Sequence, residues 1–385
     1  MKKKYIAIII TCAILLAGIT GFLIYYFGFK GYLPTCTEKP FTNYPVDMNR
    51  ITSITPLGNL NPPGHTFPTD HMYFYTNTTM YPDGFEIYAP GFLHVESIEK
   101  VEYNPPQGNI SEDFTINFYA CRDVSGRFAH VNNLSDYLWN KVSGFGIAYG
   151  DSVDKYEVAG MNVTRFIKNV NFDVNGGVSL GIAGLGGGYD FWLKDDRIQL
   201  NWVNNDWTRE FQHAACPLDY FTDPLKNNMT TYLKNYDNTP VFPANYCGRI
   251  DFDVANTAQG IWVRNGFSGR PEDNGLSLVY SNFNASLGSI SIGYAGNSTW
   301  DSRVYTFDPS GTGFKNRRFG EVTNDGNVYF YLCKEFYSGH YTKVIFLKMI
   351  TNRSIKLQFY DNGGSPLPAD PRTYWNESQA ILYSR

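Results

Sequence analysis

The sequence predicts a mainly β protein in which an N-terminal transmembrane helix precedes two β domains, the second an antiparallel sandwich or barrel. Composition is the first indication, because 17% of the residues are aromatic, only 18% are charged, and 36 Gly and 20 Pro are spread along the chain. Such a composition is typical of turn-rich β proteins. The second indication is a series of short apolar or alternating runs from residue 56 onward, and the third is an uncharged apolar run over residues 5–29. A chain of 385 residues is long enough for two domains.

The apolar run predicts a membrane anchor. As a helix, residues 5–29 are long enough to cross a hydrocarbon core of about 30 Å. Lys2, Lys3 and Lys4 precede the run, so the positive-inside rule makes residues 1–4 a cytoplasmic tail and places the rest of the chain outside. No small-x-small cleavage site follows before Lys30, which favours a retained signal anchor. We therefore expect a single-pass cell-membrane protein with an extracellular ectodomain.

Sequons and cysteines agree with an extracellular location. The Asn-x-Ser/Thr sequons, which predict a glycoprotein, begin at Asn77, Asn109, Asn133, Asn162, Asn228, Asn284, Asn297, Asn352 and Asn376. Cys12 lies within the apolar run, and five cysteines follow it. We expect the disulfides Cys121–Cys216 and Cys247–Cys333, one in each domain, with Cys36 free or joined to a second copy in a homo-oligomer. Other pairings are also compatible with the sequence.

Shifts in composition mark the domain boundaries. Residues 30–55 are rich in proline and polar residues and predict a stalk. A first β domain is expected over residues 56–237, a linker over residues 238–245, and a second domain of about nine short strands over residues 246–385.

Two helices are expected in the first domain. One runs from about Pro224 to Tyr236, because Asp223 can cap it and Pro224 suits its first position. The other is expected over residues 134–141, with Asn133 as its cap.

Five residues form the candidate site for chemistry: His65, Asp70, His71, His130 and Asp190. Zinc in proteins is bound by imidazole nitrogen and carboxylate oxygen, and a catalytic zinc site keeps a position for water. His71 follows Asp70 directly, so we expect its side chain on the opposite face of a strand. The structural alternative is that His65 and Asp70 hydrogen-bond the backbone of a Pro-rich turn and that Asp190 is a solvent-facing strand residue.

The order of several motifs over residues 56–205 resembles the LytM-type M23 peptidase domain. Glu86-Ile87-Tyr88-Ala89-Pro90-Gly91-Phe92-Leu93 is similar to the family's "pVyAp.dG.V" strand, and Phe128-Ala129-His130-Val131 is similar to its "YaHL" motif. Tyr156-Glu157-Val158-Ala159-Gly160 is similar to the turn that follows. The resemblance implies a β-rich zinc endopeptidase fold that cuts peptidoglycan cross-links.

The same resemblance assigns roles to the candidate residues. It makes His65 and Asp70 metal ligands and His130 the catalytic histidine that carries a proton. The family ends the site with a His-x-His strand, where this chain has Gly188-Tyr189-Asp190. Asp190 is then the replacement ligand, while the other histidine of that motif is missing. His65 and Asp70 are also one residue further apart than in the family.

The second domain resembles a module of uncharacterised microbial surface proteins. Cys247-Gly248-Arg249 and Thr257-Ala258-Gln259-Gly260-Ile261-Trp262 carry this resemblance, which covers residues 246–335. We expect Trp262, Trp300 and Trp375 to pack in its core, the alternative being a carbohydrate platform.

Three functions follow as alternatives. The first is a non-catalytic, M23-like pseudoenzyme that binds a polymer or protein partner at the cell envelope. The second is a zinc-dependent metallopeptidase that uses His65, Asp70, Asp190 and His130. The third is an adhesive surface subunit. Nucleic acid is excluded as a partner because the net charge is −4 and no basic cluster is present.

Overall fold

The computed structural model describes residues 11, 20, 32–158, 160–206, 208, 211–234, 246–296, 300, 302–336, 341–361 and 367–385. Strands predominate in this part of the chain, as the sequence predicts. None of the helices among these residues has the length and apolar character needed to span a membrane. The predicted anchor over residues 5–29, apart from Thr11 and Thr20, and the predicted linker over residues 238–245 lie outside the described residues.

Eleven strands form one antiparallel sheet in the N-terminal half of the chain. They are β1 (Ser53–Thr55), β2 (His71–Tyr75), β3 (Phe85–Tyr88), β4 (Leu93–Gln107), β5 (Ile110–Cys121), β6 (Val124–Leu134), β7 (Ser152–Val158), β8 (Met161–Val174), β9 (Ser179–Ala183), β10 (Gly188–Asp195) and β11 (Ala214–Ala215). The main order is β1-β2-β10-β6-β5-β4-β8-β7, with β9 between β3 and β6, and β11 beside β10.

Alternation along the strands divides this sheet into two faces. Phe74 of β2, Phe128 of β6 and Phe191 of β10 are buried in the first core. Between these apolar positions, Tyr73 of β2 and Asp190 of β10 are cross-strand partners on the opposite face. That polar face carries the candidate site.

Eight strands form a closed antiparallel barrel in the C-terminal half. They are β12 (Gly260–Arg264), β13 (Gly275–Tyr280), β14 (Gly288–Ile292), β15 (Arg303–Phe307), β16 (Tyr329–Glu335), β17 (Tyr341–Thr351), β18 (Ser354–Asp361) and β19 (Ile381–Ser384). Each pairs with the next, and β19 pairs with β12. The expected barrel is therefore confirmed, although the strand expected over residues 250–254 does not form.

Side chains fill the interior of the barrel, as is usual for eight strands. Trp262, Tyr305 and Tyr331 are fully buried there, together with Leu278 and Ile345. Trp300 is also buried, so two of the three tryptophans expected in a core lie in this one. Trp375 packs in a separate cluster against Phe346 on the barrel exterior.

The segment expected as a stalk packs against the first sheet. Phe41 and Val46 are buried in the core, and β1 pairs with β2. Its prolines separate short contacts with the rest of this half: Phe41 N donates to Tyr220 O, after β11, at 3.0 Å, and Tyr88 N of β3 donates to Pro45 O at 2.9 Å. A Pro-rich composition therefore marks an irregular but packed segment here.

Both expected disulfide pairs are wrong. Cys36 pairs with Cys121, and Cys216 pairs with Cys247. Cys333 is a free, buried thiol in the barrel core. The reason lies in the packing, because the residues around Cys36 return to the end of the β5–β6 hairpin and Cys333 faces the closed barrel interior. Two disulfides are present, as the sequence predicts, but each joins segments that the sequence assigned to different parts of the chain.

The two helices start close to the expected positions. α1 (Asp136–Val142) is capped by Ser135 rather than Asn133, since Ser135 Oγ accepts from Leu138 N at 3.4 Å. α2 (Asp223–Thr230) has Pro224 in its first turn but ends six residues before the expected position. It ends there because the following residues pair with β1, where Ile54 N donates to Tyr232 O at 2.7 Å.

The barrel packs against the loop between β1 and β2. Phe67 of this loop is buried against Ile261 and Val263 on the outside of β12. Ser277 Oγ donates to Thr66 O at 2.8 Å from the neighbouring strand β13. These contacts position the loop that carries His65.

Candidate functional site

Asp190 occupies the centre of a polar cluster on the open face of the first sheet. It is a cross-strand neighbour of Tyr73 and of Ala129, and its carboxylate is almost completely buried. One of its oxygens, Oδ2, lies 3.3 Å from His130 Nε2 and 3.7 Å from His71 Nε2. The structure therefore places a single carboxylate between two imidazoles.

A bulge in β6 brings His130 to this face. Phe114 and Ile116 of β5 are two residues apart, but their partners Val131 and Phe128 are three apart, so β6 contains one extra residue. His130 has φ 60°, a left-handed conformation that is uncommon outside glycine. Bulges commonly redirect a side chain beside a functional site. Strict alternation would bury the His130 side chain in the core. The bulge places its imidazole on the polar face instead.

Asp113 and Tyr103 hold His130 in place. His130 Nδ1 lies 2.7 Å from Asp113 Oδ2, and Tyr103 Oη donates to the same oxygen at 3.0 Å. Burial alone would lower the pKa of His130, but the carboxylates of Asp190 and Asp113 outweigh it and hold that pKa well above its ordinary value. His130 is therefore a half-buried cation between two carboxylates, with an edge that reaches the cleft.

Asp70 and Trp192 position His71. His71 Nδ1 lies 3.2 Å from Asp70 Oδ1, which also accepts from Trp192 Nε1 at 2.5 Å. Burial lowers the pKa of His71 in spite of Asp190 and Asp70, so its imidazole is neutral. The Asp70 pKa is lowered because its bond to His71 outweighs the effect of burial. His71 is thus fixed with Nδ1 toward Asp70 and Nε2 toward Asp190.

His65 completes the cluster and connects it to the barrel. Its ring centroid is 5.1 Å from that of His71, and its Nδ1 lies 3.6 Å from Glu272 Oε1, in the turn between β12 and β13. Burial opposes protonation, but Glu272 and Asp190 together raise the pKa of His65. All three imidazoles therefore direct Nδ1 toward a carboxylate.

The electrostatic balance favours a negative charge at Asp190. Burial alone would raise the pKa of this carboxyl group, but the neighbouring histidines, His130 first, outweigh it and lower the pKa. The cleft beside Asp190 has a volume of about 250 Å³. Neutral amide side chains from Asn61, Gln107 and Asn132 line its walls.

The sequence-predicted site residues are only partly assembled as expected. His65, His130 and Asp190 surround the cleft, whereas Asp70 lies behind His71 and contacts its Nδ1. The expectation that His71 points away is wrong, because β2 places it on the same face as Tyr73. No three of these residues bring their ligand atoms within 4.8 Å of one another. Within the described ranges, only Cys216, Asp219 and Cys247 do so, and those cysteines form a disulfide.

Sequence reasoning missed the residues that orient the imidazoles. Asp113 and Glu272 lie far from the histidines in sequence, and neither belongs to a recognisable motif. A buried Asp among the apolar positions of β5 is the one local signal, because an unpaired charge is costly to bury. Such a residue predicts a partner but does not identify it.

Comparisons with family models, with curated proteins and with solved structures find no match to this chain.

Proposed function

We propose that the cleft binds a divalent metal ion of the zinc type and that the protein is a metal-dependent hydrolase acting on a peptide outside the membrane. The observation that carries the proposal is the position of the His71 ring. It lies between the carboxylates of Asp70 and Asp190, and both of its nitrogens are buried. A neutral imidazole has one N–H, and the 3.2 Å contact assigns it to Asp70. The lone pair of Nε2 then faces Asp190 at 3.7 Å, and Nε2 has no hydrogen-bond partner among the described residues. His71 and Asp190 could hold a cation, which would satisfy both acceptors.

The types and orientations of the donors fit zinc. Zinc prefers imidazole nitrogen and carboxylate oxygen, and its histidine ligands usually donate their second nitrogen to a carboxylate. His71 and Asp190 are the two ligands that this geometry favours. His65 is the third candidate, since its Nδ1 faces Glu272. The bound metal would supply a water of lowered pKa and polarise a carbonyl oxygen.

His130 has the position of a proton donor. Its pKa is raised by two carboxylates, and about 39% of its side chain is exposed toward the cleft. Asp113 fixes its orientation through Nδ1. A protonated imidazole at the cleft edge can donate to the leaving amine of a cleaved amide. The amides of Asn61, Gln107 and Asn132 line the cleft with neutral groups that pair with peptide backbone.

The resemblance to M23 peptidases supports a peptide substrate at the cell envelope. His65, His130 and Asp190 carry that resemblance and lie around one cleft. His71 offers the imidazole that the altered last motif lacks. The predicted anchor, the two disulfides and the sequons support an extracytoplasmic location.

Metal content tests the first half of the proposal. Plasma mass spectrometry of the purified full-length chain should find about one zinc per chain in the parent. His71→Ala and Asp190→Asn should lose it, while His94→Ala, which removes a histidine paired with Asp173 outside the cleft, should retain it. Absence of metal from the zinc-replete parent would contradict the metal site.

Cleavage of a peptide library tests the second half. His130→Gln should retain the metal and lose activity by about 10²- to 10⁴-fold, the usual contribution of a general acid. A parent that holds zinc but cleaves no peptide would favour the second candidate, a non-catalytic metal-dependent binding protein. That candidate is supported by Gly188 and Asp190, which stand where the M23 pattern has two histidines.

A further inference from the structure

A second groove lies between α1 and β8. It has a volume of about 390 Å³ and is lined mainly by polar side chains, including Lys141, Lys168 and Asn169. Val170 and Phe172, which also line it, pack against the first core, and the groove shares no lining residue with the metal cleft. The proposed hydrolase does not use this groove.

One wall of the groove is an exposed aromatic ring held in a fixed position. Tyr149 is 57% exposed. A Cβ at position 144 would lie 2.8 Å from its ring, so the glycine at this position allows the ring to pack directly on the Gly144 backbone. The Lys168 ammonium lies 5.5 Å from the ring centroid and donates to Tyr149 O at 3.2 Å. Asp151, whose side chain is 1% exposed, pairs with Lys168 at 2.8 Å. A buried ion pair therefore supports an exposed ring.

The groove also has a cation without a counterion. The Lys141 ammonium lies 5.6 Å from the Tyr137 ring centroid and 5.7 Å from that of Phe172. Among the described residues, no carboxylate lies within 4.0 Å of it, whereas Lys168 is neutralised by Asp151. Two aromatic faces position the Lys141 charge, which costs less entropy on binding than a freely moving lysine.

The edge of β8 beside the groove is open to hydrogen bonding. β7 pairs with β8 only as far as Ser152, opposite Ile167. Beyond that point the exposed residues Asn169 and Asn171 line the groove. Amide groups beside an exposed tyrosine match the alternating hydroxyl and C–H surfaces of a sugar ring.

We propose that this groove binds an acidic glycan, with Tyr149 stacked on a sugar ring and Lys141 paired with a carboxylate of a uronic acid. A groove with one lysine that has no carboxylate partner among the described residues, in a chain of net charge −4, does not suit a nucleic acid, which needs many phosphate contacts. The inference is independent of the metal site and its activity.

Calorimetric titration of the full-length chain tests the proposal, with an oligogalacturonate as the acidic probe and a maltooligosaccharide as the neutral probe. The parent should bind the acidic probe more tightly. Lys141→Gln should weaken acidic binding about tenfold and leave neutral binding unchanged, because about 1.4 kcal/mol corresponds to a factor of ten. Tyr149→Ala should weaken the binding of both probes.

Lys155→Gln is the matched control, because Lys155 is exposed on β7 and does not line the groove. Thermal melting of each variant verifies its fold. The proposed glycan site is wrong if the parent does not bind the oligogalacturonate. It is also wrong if Lys155→Gln weakens oligogalacturonate binding as much as Lys141→Gln does.

Discussion

At the scale of single residues, Asp195 connects the end of β10 to the segment that follows β11. Its carboxylate accepts from Arg197 Nη2 at 2.6 Å and from Tyr220 Oη at 2.5 Å, and its side chain is 4% exposed. Burial alone would raise the pKa of this carboxyl group. The bonds from Arg197 and Tyr220 outweigh burial and lower the pKa.

We expect Asp195→Asn to destabilise the fold at pH 7 by about 1–3 kcal/mol, the usual cost of losing hydrogen bonds to a buried charge. The pKa of Asp195 in the folded protein lies below its value of about 3.9 in the unfolded chain. The stabilisation by Asp195 is therefore complete well above about pH 3.9, and it is lost as the pH falls through the folded pKa. Urea midpoints at pH 7 and pH 3 measure the effect. The exposed Asp196→Asn is the control, and a parent–variant difference of the same size at both pH values would contradict the prediction.

The histidines show why sequence alone identified only part of the candidate site. The sequence pattern selected His65, Asp70, His130 and Asp190, and the structure brings all of these except Asp70 to one cleft. It included His71 among the candidates but expected its side chain on the opposite face, on the assumption that neighbours in a strand point to opposite faces. Asp70 precedes β2 and is not bound by that alternation, so it lies beside His71 rather than across the sheet. Strand boundaries and bulges determine such details, and short-range patterns do not specify them.

At the scale of elements, Arg385 stabilises the barrel at the place where β19, the last strand, pairs with β12, the first. Its guanidinium lies 4.1 Å from the Trp262 ring centroid and donates to the carbonyl oxygens of Val254, Thr257 and Gln259. Burial lowers the pKa of Arg385 to about 10, despite the nearby Asp253 carboxylate, so the side chain stays charged at neutral pH. One side chain thus satisfies three carbonyls before β12.

We expect Arg385→Met to lower the stability of the barrel by about 3 kcal/mol or more, because it removes charged hydrogen bonds and a buried cation–π contact. Urea unfolding followed by tryptophan fluorescence measures the change. Arg353→Met, at the exposed turn between β17 and β18, is the matched control. Equal urea midpoints for the two variants would show that the contacts of Arg385 add no stability.

The disulfides should contribute unequally to stability. Cys36 and Cys121 are 85 residues apart, while Cys216 and Cys247 are 31 apart. The loop-entropy model gives about 4.6 kcal/mol for the first and about 3.7 kcal/mol for the second. The Cys36→Ser, Cys121→Ser variant should therefore melt at a lower temperature than the Cys216→Ser, Cys247→Ser variant. Non-reducing peptide mapping identifies the pairs, and a Cys121–Cys216 peptide would contradict this pairing.

Local patterns predicted elements that depend on local interactions. α1 and α2 begin near their expected starts because Ser135 caps one helix and Pro224 opens the other. β7 was not predicted, since Ser152–Val158 is almost fully exposed and lacks an apolar stripe. Its pairing with β8 determines its structure, and the sequence of β7 alone does not show that partner.

At the scale of the whole molecule, the candidate metal site depends on both halves of the chain. His71, His130 and Asp190 belong to the first sheet, but Glu272, which faces His65, belongs to the barrel. Phe67 joins the two halves through its contacts with β12. The position of His65 therefore follows from the docking of the barrel, although His65 precedes the barrel by some 200 residues in the sequence.

We expect Phe67→Ala to separate the two halves and weaken metal binding, although Phe67 contacts no candidate ligand. Phe67 is 2% exposed, and removing a buried phenyl ring costs about 3–5 kcal/mol. Calorimetry should then resolve separate melting of the sheet and the barrel, and zinc content should fall below that of the parent. Phe67→Leu is the control, because an apolar replacement costs less than about 1.5 kcal/mol and should keep one transition and the metal. If Phe67→Ala melts in one transition with the parent's zinc content, docking of the barrel does not control the His65 loop.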